Sequence, residues 1–414
     1  MSRIKSRYIA AVDIGSAKVI CLIADIDNNA NMKIVGIGHQ LSQGIKSGII
    51  TDIKKAEKSI RAAVGAAEEM AGVNIESVYV NISGSNQYSK IYNTHVNLQN
   101  NAISSKDIRH LLEVAYAKLF NDSEEILHIL PIEFFIDSTG HITDPCGMFG
   151  KILSAKLNVI AAASTSVHNL TQCFARCHLD VEDYIVSSYA SSFSCLNEDE
   201  KELGTILLDF GASNTSISVF KNNNLVFIDS VALGGAHVTG DLAIGLSTNI
   251  ESAERIKTLY GNVLNTPKDI QELIDIPVAN GSGHSEELSH TPRSVIIDII
   301  RPRIDEILEN VQYRLKKANI DNSCRSIVIT GGASQLGGLK EYISHMFGKS
   351  VRLGTPDYIE GMAEITKGPE FSTCFGILQY IKYQKFSPEF IHFRKQEITF
   401  NPILKAVQWV KENF

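Results

Sequence analysis

The sequence has no surplus of basic residues. Lysine and arginine number 39 against 46 aspartates and glutamates, a formal net charge of −7 over 414 residues. Charges of both signs are interspersed, which argues against a nucleic-acid surface covering the molecule, and no nucleic-acid partner is expected. Paired cysteines are lacking too. The seven cysteines are scattered without metal-ligand spacing. Cys173 and Cys177, four apart on an expected helix, would share a buried face, and a reducing compartment is implied. No apolar run is long enough to span a bilayer. The basic start, Arg3 to Arg7, leads into an apolar run that Asp13 cuts short, so no secretory leader is expected.

What the chain does have is a repeated unit. Val12-Asp13-Ile14-Gly15-Ser16-Ala17-Lys18-Val19 lies between two apolar strands, and Leu208-Asp209-Phe210-Gly211-Ala212-Ser213-Asn214-Thr215 repeats the arrangement. Both copies continue through an Asn-rich turn to a strand ending in glycines, Gly36 and Gly38 in the first and Gly234 and Gly235 in the second. One such copy alone reads more simply as a plain hairpin turn. Two copies with matched flanks point to a duplicated phosphate grip. Gly15 and Gly211 let the backbone approach closely and present N–H groups to an anion, while Ser16 and Thr215 add hydroxyls. Asp13 and Asp209, each at the end of a buried strand, would repel a polyphosphate unless a divalent cation lay between them. Magnesium suits that place, since it keeps several waters and needs few carboxylates.

At this length the chain has room for two or more domains with sizeable cores. A helix is expected from an N-cap at Asp52 to a stop at Gly72, then a buried strand over 77–82. Residues 84–164 change to separate strands around one helix at 105–119, the pattern of an insertion that folds by itself. Helical spacing over 167–178 and the segment 183–196 restore the α/β pattern, and the charged run 198–202 reads as a linker. After the second hairpin, helices are expected from Val238, over 252–261 and over 293–317, with residues 280–292 as a mobile loop. The strand Ser326-Ile327-Val328-Ile329-Thr330 then ends in Gly331-Gly332-Ala333, a turn opening a helix, which aims backbone N–H groups at a ligand.

Taken in order, Asp-x-Gly-Ser, Asp-x-Gly-x-x-x-Thr, Ala-Glu-x-Ile-Lys-x-x-Tyr-Gly and Thr-Gly-Gly-Ala resemble the actin, sugar-kinase and heat-shock chaperone ATPase superfamily. Within it the chain is most similar to the bacterial cell-division family FtsA, over essentially its whole length. The resemblance implies an α/β, actin-like duplicated ATPase fold with two lobes around a nucleotide cleft. The first lobe would comprise 1–83 and 165–200 with part of 370–386, and carry an inserted α+β subdomain at 84–164. The second would comprise a larger part at 201–237 and 293–370 and a smaller part at 238–292. ATP and Mg2+ are the implied cofactors. Asp13 and Asp209 would hold the hydrated ion; Gly15, Ser16, Gly211, Asn214 and Thr215 would clamp the phosphates, with Lys18 beside the first clamp and Gly234 and Gly235 beside the second. Glu254 would accept from the ribose, Lys257 would pack near the adenine, and Gly331, Gly332 and Ala333 would pass under the adenosine. Where relatives carry a water-orienting carboxylate or glutamine, this chain has Ser187 or a neighbour, so hydrolysis would be slow.

The same resemblance implies filaments of the protein itself, docking of the FtsZ C-terminal peptide on the smaller part of the second lobe with Arg293 a candidate contact, and recruitment of later division proteins by the insertion. Residues 387–400 read as a linker, and Asn401-Pro402 as the start of a terminal helix. Ile403, Val407, Val410 and Phe414 share one face, Leu404 lies beside them, Lys405 opposes them, and Trp409 and Lys411 flank the stripe. That helix fits a membrane interface, as the family implies, or equally the protein's own core. The expected location is the cytoplasmic side of the inner membrane at the division septum. A sugar or acetate kinase, or a chaperone-like ATPase, is the alternative.

Overall fold

The computed structural model describes residues 8–84, 87–99, 102–277, 288–320 and 324–386. The first lobe starts with a meander: β1 (Tyr8–Ile14), β2 (Lys18–Ile26) and β3 (Met32–Leu41) pair antiparallel in succession. A two-stranded ribbon of β4 (Ile45–Lys46) and β5 (Ile49–Ile50) leads to helix α1 (Ile53–Ala71). The sequence reads correctly here. The Asp52 carboxylate accepts from Lys55 N–H at 3.1 Å, Gly72 closes the helix at φ 67°, and Ala56, Ile60, Ala63, Val64 and Ala67 form its buried stripe. Strand β6 (Ser77–Ile82) then pairs parallel to β1.

The insertion follows as β7 (Gln87–Asn97), α2 (Ser105–Leu119), β8 (Glu124–Ile136), β9 (Thr139–Ile142) and β10 (Ile152–Ala163), with sheet order β7-β10-β8-β9. It has an apolar core of its own, built on Ile108, Leu111, Leu112, Ile129, Leu153 and Leu157. The chain returns through α3 (Ser164–Arg176), β11 (Asp180–Val186) and α4 (Ser187–Cys195), completing the sheet order β11-β6-β1-β2-β3.

The second lobe repeats this plan. After α5 (Glu198–Leu203) come β12 (Thr205–Phe210), β13 (Thr215–Lys221) and β14 (Asn224–Val231), again an antiparallel meander. Helices α6 (Gly235–Gly245) and α7 (Ile250–Tyr260), a ribbon of β15 (Leu273–Pro277) and β16 (Leu288–Pro292), and the long α8 (Arg293–Lys317) precede β17 (Ser326–Thr330), α9 (Leu339–Phe347) and β18 (Ser350–Leu353). The sheet order β14-β13-β12-β17-β18 is that of β3-β2-β1-β6-β11, with parallel pairing at the same places. The duplication read from the two Asp-x-Gly stretches is therefore a duplication of the whole sheet. Helix α10 (Ser372–Phe386) crosses back and buries Phe375, Tyr380 and Ile381 in the first-lobe core.

Several expectations need correction. The charged run 198–202 is helical: Asn197 accepts from Glu200 N–H, and the Glu200 carboxylate accepts from Asn197 N–H, a capping box that starts α5. Part of the expected loop is strand β16, which pairs with β15. Helix α6 begins at Gly235 and α3 at Ser164, each three residues earlier than the periodicity indicated. Gly332 opens a 3-10 turn through Gln335, and α9 starts only at Leu339. Cys173 is buried on α3, whereas Cys177 caps it. The terminal linker and helix, 387–414, lie outside the described residues.

The insertion also reaches the other lobe. Ser89 Oγ donates to Ile228 O at 3.0 Å and accepts from Ile228 N–H at 2.9 Å. The Asn158 amide donates to Leu225 O at 2.9 Å, and that of Asn224 donates to Ile132 O at 3.1 Å. β14 is the edge of the second sheet, so side chains of the insertion finish backbone positions that a sixth strand would otherwise pair.

Candidate functional site

The two hairpins close alike. Gly15 N–H bonds to Lys18 O at 3.0 Å and Gly211 N–H to Asn214 O at 2.9 Å, so each glycine starts a tight turn directly after its Asp-bearing strand. Helix α4 joins the two carboxylates. Its first residue, Ser187, accepts through Oγ from Asn81 Nδ2 at 3.0 Å, and the same nitrogen donates to Asp13 Oδ1 at 2.6 Å. One turn later Ser191 Oγ donates to Asp209 Oδ2 at 2.8 Å, with Thr373 Oγ1 of α10 3.3 Å from that oxygen. Each aspartate thus has one oxygen held by these donors.

The electrostatics follow from that convergence. Desolvation by the packed surroundings, then the charge of Asp209, push the Asp13 carboxyl up to about 7, with Lys18 opposing. Burial raises Asp209 as well, against the hydrogen bonds from Ser191 and Thr373 that favour its ionised form. Two desolvated carboxylates within each other's field are poorly balanced by protein alone, and a divalent cation would satisfy both. Among the described residues no group of three or more His, Cys, Asp or Glu could hold a metal. Two carboxylates, Asp13 and Asp209, would suit an ion held otherwise through water and a ligand's phosphates, as magnesium prefers.

Lys18 reaches sideways. Its ammonium lies 3.9 Å from Glu370 Oε1 and 5.0 Å over the Phe371 ring, half-buried, and burial lowers its pKa. Ser16 is partly exposed at the first turn. Thr215 is fully buried and its hydroxyl donates to Leu233 O at 2.9 Å, pinning the second hairpin to the strand end before Gly234. The Asn214 amide donates to Ser216 Oγ at 3.1 Å.

Around the second hairpin the remaining motifs close up. Gly235 N–H donates to Gly211 O at 3.0 Å and Ala236 N–H to Ala212 O at 2.7 Å. A Cβ on Gly234 would sit 2.5 Å from Gly211 O, and one on Gly235 2.8 Å from the Ala333 methyl, so only glycine permits this approach. Lys257 Nζ donates to Gly235 O at 3.2 Å and Thr239 Oγ1 at 2.9 Å, and pairs with Glu254 at 2.7 Å. Gly331 lies against Asp209, and Gly332 faces Glu370. The structure thus links Gly211, Gly234, Gly235, Lys257, Glu254 and Ala333 at the second hairpin, with Gly331 against Asp209. On the other side of α4, Asp13 and Gly15 form the facing hairpin.

Sequence reasoning missed Asn81, Ser191, Glu370 and Thr373. Only Asn81 left a local trace, as the one amide among the apolar residues of β6.

Comparison with known proteins agrees with this architecture. The family model described as cell division protein FtsA matches residues 206–376, and that of the SHS2 domain inserted in FTSA matches 84–161. The cell division protein FtsA of Rhizobium meliloti (strain 1021) is 38% identical over 387 residues, covering 91% of this chain and 87% of the relative. The chain belongs to the FtsA family. FtsA of Escherichia coli (strain K12) is 29% identical, with 92% of each chain covered.

Solved structures give the fold at lower identity. The PilM–PilN type IV pilus biogenesis complex superposes with a TM-score of 0.64 at 15% identity, covering 90% of this chain and 98% of that one. MreB5 of Spiroplasma citri bound to AMPPNP gives 0.56 at 11%, covering 92% and 98%. A MamK double helical filament gives 0.51 at 12%, covering 91% and 99%. The fold is the actin-like ATPase fold that the resemblance of the motifs implied. The matched SHS2 segment falls on the insertion.

Proposed function

We propose that this FtsA-family protein binds ATP with Mg2+ between its two hairpins and, as a polymer on the cytoplasmic face of the inner membrane, tethers FtsZ filaments and recruits later division proteins. The observation that carries the nucleotide reading is the joining of Asp13 and Asp209 through one helix, α4, at the mouths of two identical hairpin turns. The N–H groups of Gly15 and Gly211 themselves close the hairpins on Lys18 O and Asn214 O, so these glycines would serve by letting the turns approach phosphate closely, with Gly234 and Gly235 lining the second turn. Glu254 and Lys257 would meet the ribose and base, and residues 331–333 would underlie the adenosine. The bound ion would neutralise charge between the two carboxylates and the phosphates.

Turnover would be slow for a reason visible in α4. The Ser187 hydroxyl donates to Ile82 O at 3.0 Å and accepts from Asn81, and the residue is 6% exposed. Its oxygen already accepts from Asn81 and the side chain is buried, so a weakly basic hydroxyl would be poorly placed to accept a proton from an attacking water. Nucleotide would then act mainly as a ligand that draws the lobes together.

The smaller part of the second lobe exposes the apolar side chains of Ile244, Ile250, Leu259, Ile270 and Leu273, which the FtsZ peptide would engage. Arg293 is tied down there, donating to Tyr260 O at 3.0 Å and pairing with Asp269 and Glu272. It would shape that surface more than contact a partner. No helix among the described residues is long and apolar enough to cross a membrane, and attachment is assigned to the terminal helix read at 401–414. Filament formation would add avidity to such a short anchor.

Two measurements test this. Calorimetry should show Mg2+-dependent ATP binding that Asp209→Ala abolishes; unchanged affinity would sink the nucleotide assignment. Full-length protein should pellet with anionic liposomes and a truncation ending at Phe400 should stay soluble; equal pelleting would sink the tail assignment.

A further inference from the structure

Asn81 is 2% exposed near the end of β6 and engages both ends of its amide. Oδ1 accepts from Ile14 N–H at 2.6 Å. That contact fixes which end of the amide faces β1, because an –NH2 opposite a backbone N–H would be repelled. Nδ2 consequently faces Asp13 Oδ1 at 2.6 Å and Ser187 Oγ at 3.0 Å, which uses both of its hydrogens. Ser187 in turn donates to Ile82 O, so its oxygen is left to accept from Asn81. Every hydrogen in this set has one consistent place.

We infer that Asn81 is a positioning residue for the metal–nucleotide site: it holds Asp13 Oδ1 so that the other oxygen is presented to the cleft, and it ties that orientation to α4. The inference rests on reading the cleft as a magnesium–nucleotide site. Ser191 does the corresponding job for Asp209 from the same helix, 2.8 Å from Oδ2. The residue type follows from the task. A neutral donor favours the ionised carboxylate without cancelling the charge that an incoming cation needs. A lysine would cancel that charge, and an aspartate would repel Asp13 while keeping the bond to Ile14. The amide alone satisfies a backbone donor on one side and a carboxylate on the other.

A positioning role and a merely structural one separate in how they depend on metal. In full-length protein, ATP affinity is measured by calorimetry in EDTA and across a Mg2+ titration for wild type, Asp13→Asn, Asn81→Ala and Ser187→Ala. Wild type should gain affinity with Mg2+, and Asp13→Asn should lose most of that gain. Asn81→Ala should raise the Mg2+ concentration for half-maximal gain about tenfold, the effect of losing one hydrogen bond to a charged group, with affinity in EDTA unchanged. Ser187→Ala removes one of the acceptors orienting the amide without touching Ile14. It should shift the Mg2+ requirement about threefold in the same direction, which keeps the test decisive should Asn81→Ala fail to fold.

If wild type shows no Mg2+ gain or Asp13→Asn is silent, the reading of the cleft fails. If both behave as expected while neither Asn81→Ala nor Ser187→Ala shifts the Mg2+ requirement, or Asn81→Ala weakens binding equally in EDTA, the positioning role is overturned.

Discussion

Two adjacent glycines should respond oppositely to the same small change. Gly331 has φ 84° and ψ 161°, a region that essentially only glycine occupies, and a Cβ there would lie 2.3 Å from Asp209 Oδ1 and 2.6 Å from Phe210 O. An alanine would cost about 1–3 kcal/mol in backbone strain. Displacing a carboxylate and a strand carbonyl would add about 1–3 kcal/mol more. Gly331→Ala should therefore lose roughly 2–6 kcal/mol, a large part of the stability of an ordinary domain. It should also lower nucleotide affinity, because the group it strikes is Asp209. Gly332 is different: its nearest neighbour to an added Cβ is Glu370 Cβ at 3.6 Å, ordinary van der Waals contact. Gly332→Ala should stay within about 1 kcal/mol of wild type. Thermal and urea unfolding of the two variants, with ATP titrated by calorimetry, compare them directly. Equal stability of the two variants would refute the claim that the turn is pressed against Asp209.

Other consequences can be measured independently. Asp13 is held at about 7 against an ordinary 3.8, so between those values the folded chain binds a proton that the unfolded chain has released, and stability from this group falls as pH rises through the window. Metal-free protein should accordingly unfold at lower temperature at about pH 8 than at about pH 6, and Mg2+ should raise the midpoint more at the higher pH; a larger Mg2+ effect at the lower pH would contradict the coupling. Ser89→Ala removes both bonds to Ile228 and should cost about 1–3 kcal/mol. Hydrogen exchange at Ile228 should accelerate in step, and unchanged protection there would mean that the insertion does not hold the strand.

The parts of the fold written in local chemistry were legible. α1 has an Asp cap, an alanine and isoleucine stripe and a terminal glycine, and its limits follow from them. The hairpins were legible because they occur twice. α5 was misread although its signal is present: Asn197 and Glu200 stand three apart, but a run of charges hides a capping box in the look of a linker. β16 had no such signal, since Ser289, His290 and Thr291 become a strand only by pairing with β15. The site divides in the same way. Asp13, Gly15, Asp209 and Gly211 carry a motif, whereas Thr373 meets Asp209 across 164 positions of sequence and nothing near it announces that meeting. Lys18 shows a further limit, because its destination beside Glu370 and Phe371 depends on where α10 begins.

The lobes are fastened at two separated places, by α4 and the start of α10 beneath the aspartates and by Ser89, Asn158 and Asn224 along β14. Two fixed points leave a pair of rigid bodies a single freedom, a swing about the line joining them. Any rearrangement that keeps both fastenings is thus described by one angle, and a partner gripping the insertion would hold one end of its axle.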